Sequence, residues 1–188
     1  MNFFIAITLG YFYGSVPFSY LIAKFLKGVD LRYFGDRNVG ATNVSIVAGK
    51  KAGILAFFCD ISKGVVPILI CQYLLEFPTY LLIITGFSAI LGHNWPIFLK
   101  FKGGKGLSTT IGVIGTLVPI EGAILIIPFL LFYLFLKRAI SSLRIVSFFL
   151  PFLCYFQKRP LEIILGIIFI LLFSYFKGEN IKKILWGK

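Results

Sequence analysis

Ile120-Glu121-Gly122-Ala123-Ile124-Leu125-Ile126-Ile127-Pro128-Phe129-Leu130-Leu131-Phe132-Tyr133-Leu134-Phe135-Leu136 is apolar almost throughout and runs directly into Lys137-Arg138. A helix crosses the hydrocarbon of a bilayer with about 20 residues, and this run approaches that length, so it reads as a membrane span with a basic flank. Similar runs extend from Phe3 to Phe25, Ala52 to Leu75, Pro78 to Leu91, Leu107 to Val118, Ile145 to Phe156 and Leu161 to Phe176. The whole composition agrees: 59% of the 188 residues are hydrophobic and only 14% are charged, against roughly half and a quarter in soluble domains. The expected fold is therefore all-α, a polytopic integral membrane helical bundle, with residues 1–188 forming a single domain.

The third, fourth and sixth runs fall short of the bilayer thickness, so the apolar pattern alone admits five, six or seven spans. Charge decides among them. With seven spans, 16 of the 19 Lys and Arg residues fall in the first, third and fifth loops and the tail, only Lys158 and Arg159 fall on the other side, and Lys63 lies inside a span. Cytoplasmic loops carry the Lys and Arg excess, which places the N-terminus outside and the C-terminus in the cytoplasm. Met1-Asn2-Phe3-Phe4 lacks the basic start of a cleaved signal peptide, so the first run is expected to stay as a span.

A net charge of +12 would suggest nucleic acid in a soluble protein. Here the cations lie between apolar runs, so membrane lipids with anionic headgroups, or phosphorylated substrates, are the expected partners, and no nucleic acid is. Cys59, Cys71 and Cys154 show no CxxC spacing, and His93 is the only histidine. A disulfide framework and a protein-ligated metal are both unsupported.

Two loops carry more than topology requires. Gly35-Asp36-Arg37-Asn38-Val39-Gly40-Ala41-Thr42-Asn43 adds glycines, amides and a hydroxyl to the first basic loop. Those groups suit directional hydrogen bonds to a polar ligand, or equally a tight loop capped by its own side chains. Gly92-His93-Asn94 through Lys102-Gly103-Gly104-Lys105-Gly106-Leu107-Ser108-Thr109 leads into a span. Exposed backbone N–H groups, lysines and a helix N-terminus suit a phosphate, the alternative being a flexible turn at lipid headgroups. It is not a Walker A loop, because Gly106 follows Lys105 where Ser or Thr is needed. His93 lies near working pH for acid–base chemistry, although a lone histidine at a helix end is more often a structural hydrogen-bonder. Asp60 and Lys63, three residues apart within a span, read as an ion pair or a polar cavity lining. Gly14-Ser15-Val16-Pro17 marks a break in the first span, and Gly64 with Pro67 a bend in the second.

Taken together, Gly14-Ser15-Val16-Pro17-Phe18, Asn38 to Asn43, Asp60-Ile61-Ser62-Lys63-Gly64, the run from Gly92 to Gly106 and Glu179-Asn180-Ile181 resemble the bacterial acyl-phosphate:glycerol-3-phosphate acyltransferase family of PlsY type. The resemblance implies a seven-helix enzyme of the bacterial cell inner membrane with its active site at the cytoplasmic face. It also implies transfer of a fatty acyl group from acyl phosphate to the 1-hydroxyl of glycerol 3-phosphate, the first step of phospholipid biosynthesis, with no cofactor or metal. Carried onto this chain, Asn38, Asn43, Lys105 and Asn180 take catalytic roles. Arg37, Thr42, His93, Lys102, Gly103, Gly104, Ser108, Thr109 and Lys177 bind substrate. The chain departs from the usual family pattern at Asp36-Arg37, at Ile46 in place of an arginine, at Arg144 in place of a serine and at Lys177 in place of a histidine. Rival readings are a non-catalytic relative that binds phosphorylated lipids or precursors, and a small anion or lysolipid transporter.

Overall fold

The computed structural model describes Met1–Gly178, and every regular element among these residues is helical. Among the described residues five stretches are long and apolar enough to cross a membrane: Asn2–Lys27, Lys50–Leu74, Thr79–Leu99, Pro119–Leu136 and Ala139–Phe156. A shorter apolar helix, Leu107–Leu117, and a final helix, Leu161–Gly178, occupy the other two runs. The chain folds as two compact units, the first covering Met1–Thr116 and the second beginning at Leu117.

In the first unit, α1 (Asn2–Ser15) stops at Val16-Pro17 and α2 (Phe18–Lys27) resumes, because proline offers no N–H to the preceding turn. Gly28, at φ +69°, closes α2 through a 2.9 Å bond from its N–H to the Lys24 carbonyl, a left-handed cap that suits glycine. α3 (Ala41–Ala48) and α4 (Lys50–Leu69) meet at Gly49, φ +93°. Pro67 lies within α4, which continues as a π-helical turn over Ile70–Leu74. α5 (Thr79–Asn94) is followed by a 3₁₀ turn at Ile97–Leu99, and α6 (Leu107–Leu117) completes the unit.

Small residues set how closely these helices approach. A Cβ on Gly10 would stand 2.3 Å from the Thr85 carbonyl oxygen, one on Gly14 2.2 Å from that of Ala89, and one on Gly92 2.3 Å from that of Tyr11. Gly10 and Gly14 form a small-xxx-small pair of the kind that lets membrane helices touch backbone to backbone. Gly64 and Gly112 do the same for α4 and α6, meeting the Thr109 and Ile61 carbonyl oxygens at 2.4 and 2.2 Å.

The second unit contains α7 (Pro119–Ile124), α8 (Ile126–Leu136), α9 (Ala139–Ser147), α10 (Leu150–Phe156) and α11 (Leu161–Gly178). No residue of α8 is buried, as expected of a helix whose neighbours include lipid. Glu121, fully buried in α7, accepts from Arg159 Nε at 2.5 Å and Nη2 at 3.1 Å. This forked pairing satisfies a carboxylate that would otherwise be costly at that depth, and it raises the Arg159 pKa above its ordinary value.

Candidate active site

The first loop is wound around one amide. Asn43, completely buried in the first turn of α3, accepts from the Asp36 N–H at 3.0 Å. Its Nδ2 donates to the carbonyls of Leu31, Phe34 and Asn38 at 3.1, 2.9 and 3.0 Å. Gly35 must be glycine here: its φ is +61°, and a Cβ would fall 1.9 Å from Asn43 Oδ1. Asp36 Oδ1 accepts the Asn38 N–H at 3.0 Å, a local turn typical of aspartate. Arg37 between them adopts φ +61°, a left-handed conformation costing a non-glycine residue about 1–2 kcal/mol.

Before that turn, Arg32 forks onto Asp30, with Nε 2.9 Å from Oδ1 and Nη2 2.5 Å from Oδ2. The guanidinium hydrogen bonds hold the Asp30 carboxyl below the usual range despite its partial burial. Arg32 Nη1 also donates to the Leu99 carbonyl at 3.4 Å, tying the first loop to the third. Leu31, Val39, Val44 and Leu99 lie buried together beneath the junction.

The third loop is fixed by close backbone approaches. Lys100 and Phe101 take positive φ of 54° and 61°, and the Gly104 N–H donates to the His93 carbonyl at 3.2 Å. A Cβ on Gly103 would come 2.2 Å from that carbonyl oxygen. One on Gly104 would come 2.4 Å from both His93 Nε2 and the Val39 carbonyl oxygen, and one on Gly106, φ +79°, 2.5 Å from Asn94 Oδ1. Lys102 and Lys105 are exposed on this loop, and Ser108 is half-buried in the first turn of α6. The α6 N-terminus adds first-turn N–H groups, which have no partner within a helix, and a positive dipole end beside the lysines, which together attract an anion.

Beneath the loop lies a buried polar cluster. Ser19 Oγ donates to Asp60 Oδ2 at 2.6 Å, and Lys63 Nζ stands 2.7 Å from Asp60 Oδ1. Lys63 also reaches His93 Nδ1 at 3.3 Å and lies 5.5 Å from the centre of the Phe18 ring. Asp60 and Lys63 thus form an ion pair, one of the two readings their spacing allowed. Ser19 escaped sequence reading, its one signal being a hydroxyl two residues after Pro17.

The structure therefore gathers Asn38, His93, Gly103, Gly104, Lys102, Lys105 and Ser108 where the two loops meet. Asn43 instead turns its whole amide onto loop backbone. Thr42 is exposed on the first turn of α3. The Thr109 hydroxyl points inward and donates to the Asp60 backbone carbonyl at 3.0 Å, linking α6 to α4. Lys177 is half-buried in the last turn of α11 in the second unit, and Asn180 lies outside the described residues. Among the described residues no three His, Cys, Asp or Glu side chains lie close enough together to hold a metal ion.

Comparison with known proteins places this arrangement in a family. The model of the glycerol-3-phosphate acyltransferase family matches residues 4–187. A glycerol-3-phosphate acyltransferase of Aquifex aeolicus is 39% identical over 184 residues, covering 97% of this chain and 95% of that one. One of Thermotoga petrophila is 37% identical, covering 95% and 91%. Among solved structures, the integral membrane glycerol 3-phosphate acyltransferase PlsY in its glycerol 3-phosphate form superposes with a TM-score of 0.86 at 33% identity, covering all of this chain and 94% of that one. Its lysophosphatidic acid form superposes with a TM-score of 0.85 at 32% identity. This chain is a membrane-embedded member of the glycerol-3-phosphate acyltransferase family.

Proposed function

We propose that the protein transfers a fatty acyl group from acyl phosphate to the 1-hydroxyl of glycerol 3-phosphate, releasing 1-acyl-glycerol 3-phosphate and inorganic phosphate. The observation that carries the reading is the junction of the two loops. A glycine backbone, two exposed lysines and a helix N-terminus converge there, suited to phosphorylated molecules, and the solved relatives' glycerol 3-phosphate and lysophosphatidic acid forms supply the same chemistry.

Acyl phosphate is a mixed anhydride, already activated. The glycerol oxygen attacks the acyl carbonyl, the carbonyl carbon–phosphate oxygen bond breaks, and the departing phosphate takes the hydroxyl proton. The protein's task is to align two anions and offset the charge that develops. Lys102 and Lys105 neutralise phosphate oxygens, and Asn38 and Thr42 orient the acceptor. Arg37 supplies positive charge that the family usually draws from an arginine at the position of Ile46. At the position of the family's histidine this chain keeps a cation, Lys177, and a protonated lysine is a poor base, so the substitution preserves charge and not proton transfer. Asn43 contributes by holding the first loop in shape. The site faces the cytoplasm in the bacterial inner membrane.

The test is direct: purified protein in detergent, given acyl phosphate and glycerol 3-phosphate, forms 1-acyl-glycerol 3-phosphate. Failure of the parent to form product, with activity appearing only when arginine is placed at 46 and histidine at 177, would make the chain a non-catalytic relative.

A further inference from the structure

We propose that the buried Asp60–Lys63 pair is a positioning device that holds His93 as its Nε2–H tautomer and presents that N–H at Gly104. The inference rests on the glycine loop being the phosphate-binding part of the site described above.

A lysine ammonium has donors only, so its 3.3 Å contact with His93 Nδ1 makes Nδ1 the acceptor. The proton of a neutral imidazole then resides on Nε2, because the hydrogen bond at one ring nitrogen sets the state of the other. The competing arrangement would have Nδ1–H donate to Asp60 Oδ1, but that separation is 3.7 Å, beyond hydrogen-bonding distance. It would also aim a polar hydrogen at a cation.

Asp60 fixes Lys63 in turn. The carboxylate is fully buried, anchored on one oxygen by Ser19 at 2.6 Å and on the other by Lys63 at 2.7 Å. Lys63 is 3% exposed and His93 6%, so little water competes for either. An apolar pair could fill this volume at lower cost, and stability alone gives no reason for charges here. Orientation of the ring does.

The other edge of the imidazole meets the loop. Gly104 approaches so closely that a Cβ would fall 2.4 Å from Nε2, and its own N–H is held by the His93 carbonyl at 3.2 Å. Nε2 has no hydrogen-bond partner among the described residues. It thus offers a neutral, directional donor beside lysines that supply charge without direction, which is what an acceptor-only phosphate oxygen can use.

His93 is the only histidine, so the full chain labelled with ¹⁵N-histidine in detergent gives a single imidazole whose protonated and bare nitrogens are separately resolved. The expected spectrum of the parent at neutral pH has the proton on Nε2, and adding glycerol 3-phosphate shifts Nε2 more than Nδ1. Lys63→Met is expected to convert the ring to a mixture of tautomers. His93→Gln, which places an amide near Nε2, should keep the glycerol 3-phosphate KM within about tenfold of the parent, whereas His93→Asn should raise it further. A parent ring protonated on Nδ1, or already a mixture, overturns the proposal without any variant having to fold. So does an unchanged tautomer in Lys63→Met, or an Nε2 signal unmoved by glycerol 3-phosphate in a preparation that makes product. A preparation that makes no product counts against the acyltransferase reading instead, and the tautomer lock is then judged on the spectra alone.

Discussion

Gly104, Lys105 and Asn43 stand close in the architecture but have different duties, and substitution separates them. A Cβ on Gly104 would meet a ring nitrogen and a backbone oxygen at 2.4 Å each, and the backbone oxygen cannot move aside without the first loop. Overpacking of this kind costs about 1–3 kcal/mol. Gly104→Ala is expected to raise the glycerol 3-phosphate KM and lower the melting temperature together. Lys105→Ala should leave melting unchanged, because the side chain is exposed, while weakening use of a phosphorylated substrate by about tenfold to a hundredfold, the worth of one charged hydrogen bond. Unchanged kinetics in Lys105→Ala would count against the phosphate site. Asn43→Ala takes the partner from the Leu31 carbonyl and the Asp36 N–H, each costing about 1–3 kcal/mol if left buried and unpaired, while the Phe34 and Asn38 carbonyls keep the Arg37 and Gly40 N–H groups at 3.1 Å. It should lower the melting temperature even without substrate, and a variant that lost activity at parental stability would show that Asn43 acts on substrate instead. Sequence could identify these residues as special but not divide the duties. An asparagine amide suits a ligand and a loop carbonyl equally well, and only the positions of the Leu31, Phe34 and Asn38 carbonyls decide between them.

Helices of the first unit are held by contact between backbones more than by interlocking side chains. In a bilayer there is little hydrophobic gain from joining two apolar helices, so close packing of small residues supplies the attraction. Gly14 is the sharpest case, since a Cβ there would lie 2.2 Å from the Ala89 carbonyl oxygen and 2.7 Å from its Cα. Gly14→Val is expected to push α1 away from α5, lowering the melting temperature in detergent and displacing His93, which α5 carries. A thermal shift assay with a parallel product assay checks both effects, and a variant as stable as the parent would remove α1–α5 contact as the organising feature. At this scale much was legible. The break at Val16-Pro17 follows from proline's missing N–H, whereas α4 runs on through Pro67 to Leu69, and the ion pair follows from the cost of isolated charge among apolar residues. The seam was not read, although Gly10 and Gly14 are four residues apart, because glycine spacing alone does not tell a bend from a contact. The Ser19 link to Asp60 joins residues 41 apart, and no local pattern reports such a meeting.

For the molecule as a whole, the decisive prediction is orientation, with the N-terminus outside and the C-terminus in the cytoplasm. Its first support is the distribution of 16 Lys and Arg residues in the first, third and fifth loops and the tail against two on the other side, since the Lys and Arg excess marks cytoplasmic loops. The geometry supplies a separate constraint, on the number of crossings between the loops and not on which face is cytoplasmic. The first and third loops touch, through Arg32 with the Leu99 carbonyl at 3.4 Å and through the close approach of Gly104 to Val39. Loops in contact share a membrane face, so an even number of crossings must separate them, and Lys50–Leu74 and Thr79–Leu99 are those two. Arg159 does not weaken the charge count, because its pairing with buried Glu121 gives it a structural reason to lie on the sparsely charged side. Reporters that signal only in the cytoplasm or only outside it, fused in turn to each end of the full chain, should give opposite answers, with the C-terminal fusion cytoplasmic. Fusions within residues 137–144 should report cytoplasm, and fusions at 157–160 the outside. Matching signals from the two ends would require an even number of spans and end the seven-span reading. Opposite signals with the N-terminus inside would instead put the glycine loop and its lysines outside the cell, away from cytoplasmic phosphorylated substrates, and the proposed reaction would fall with the topology.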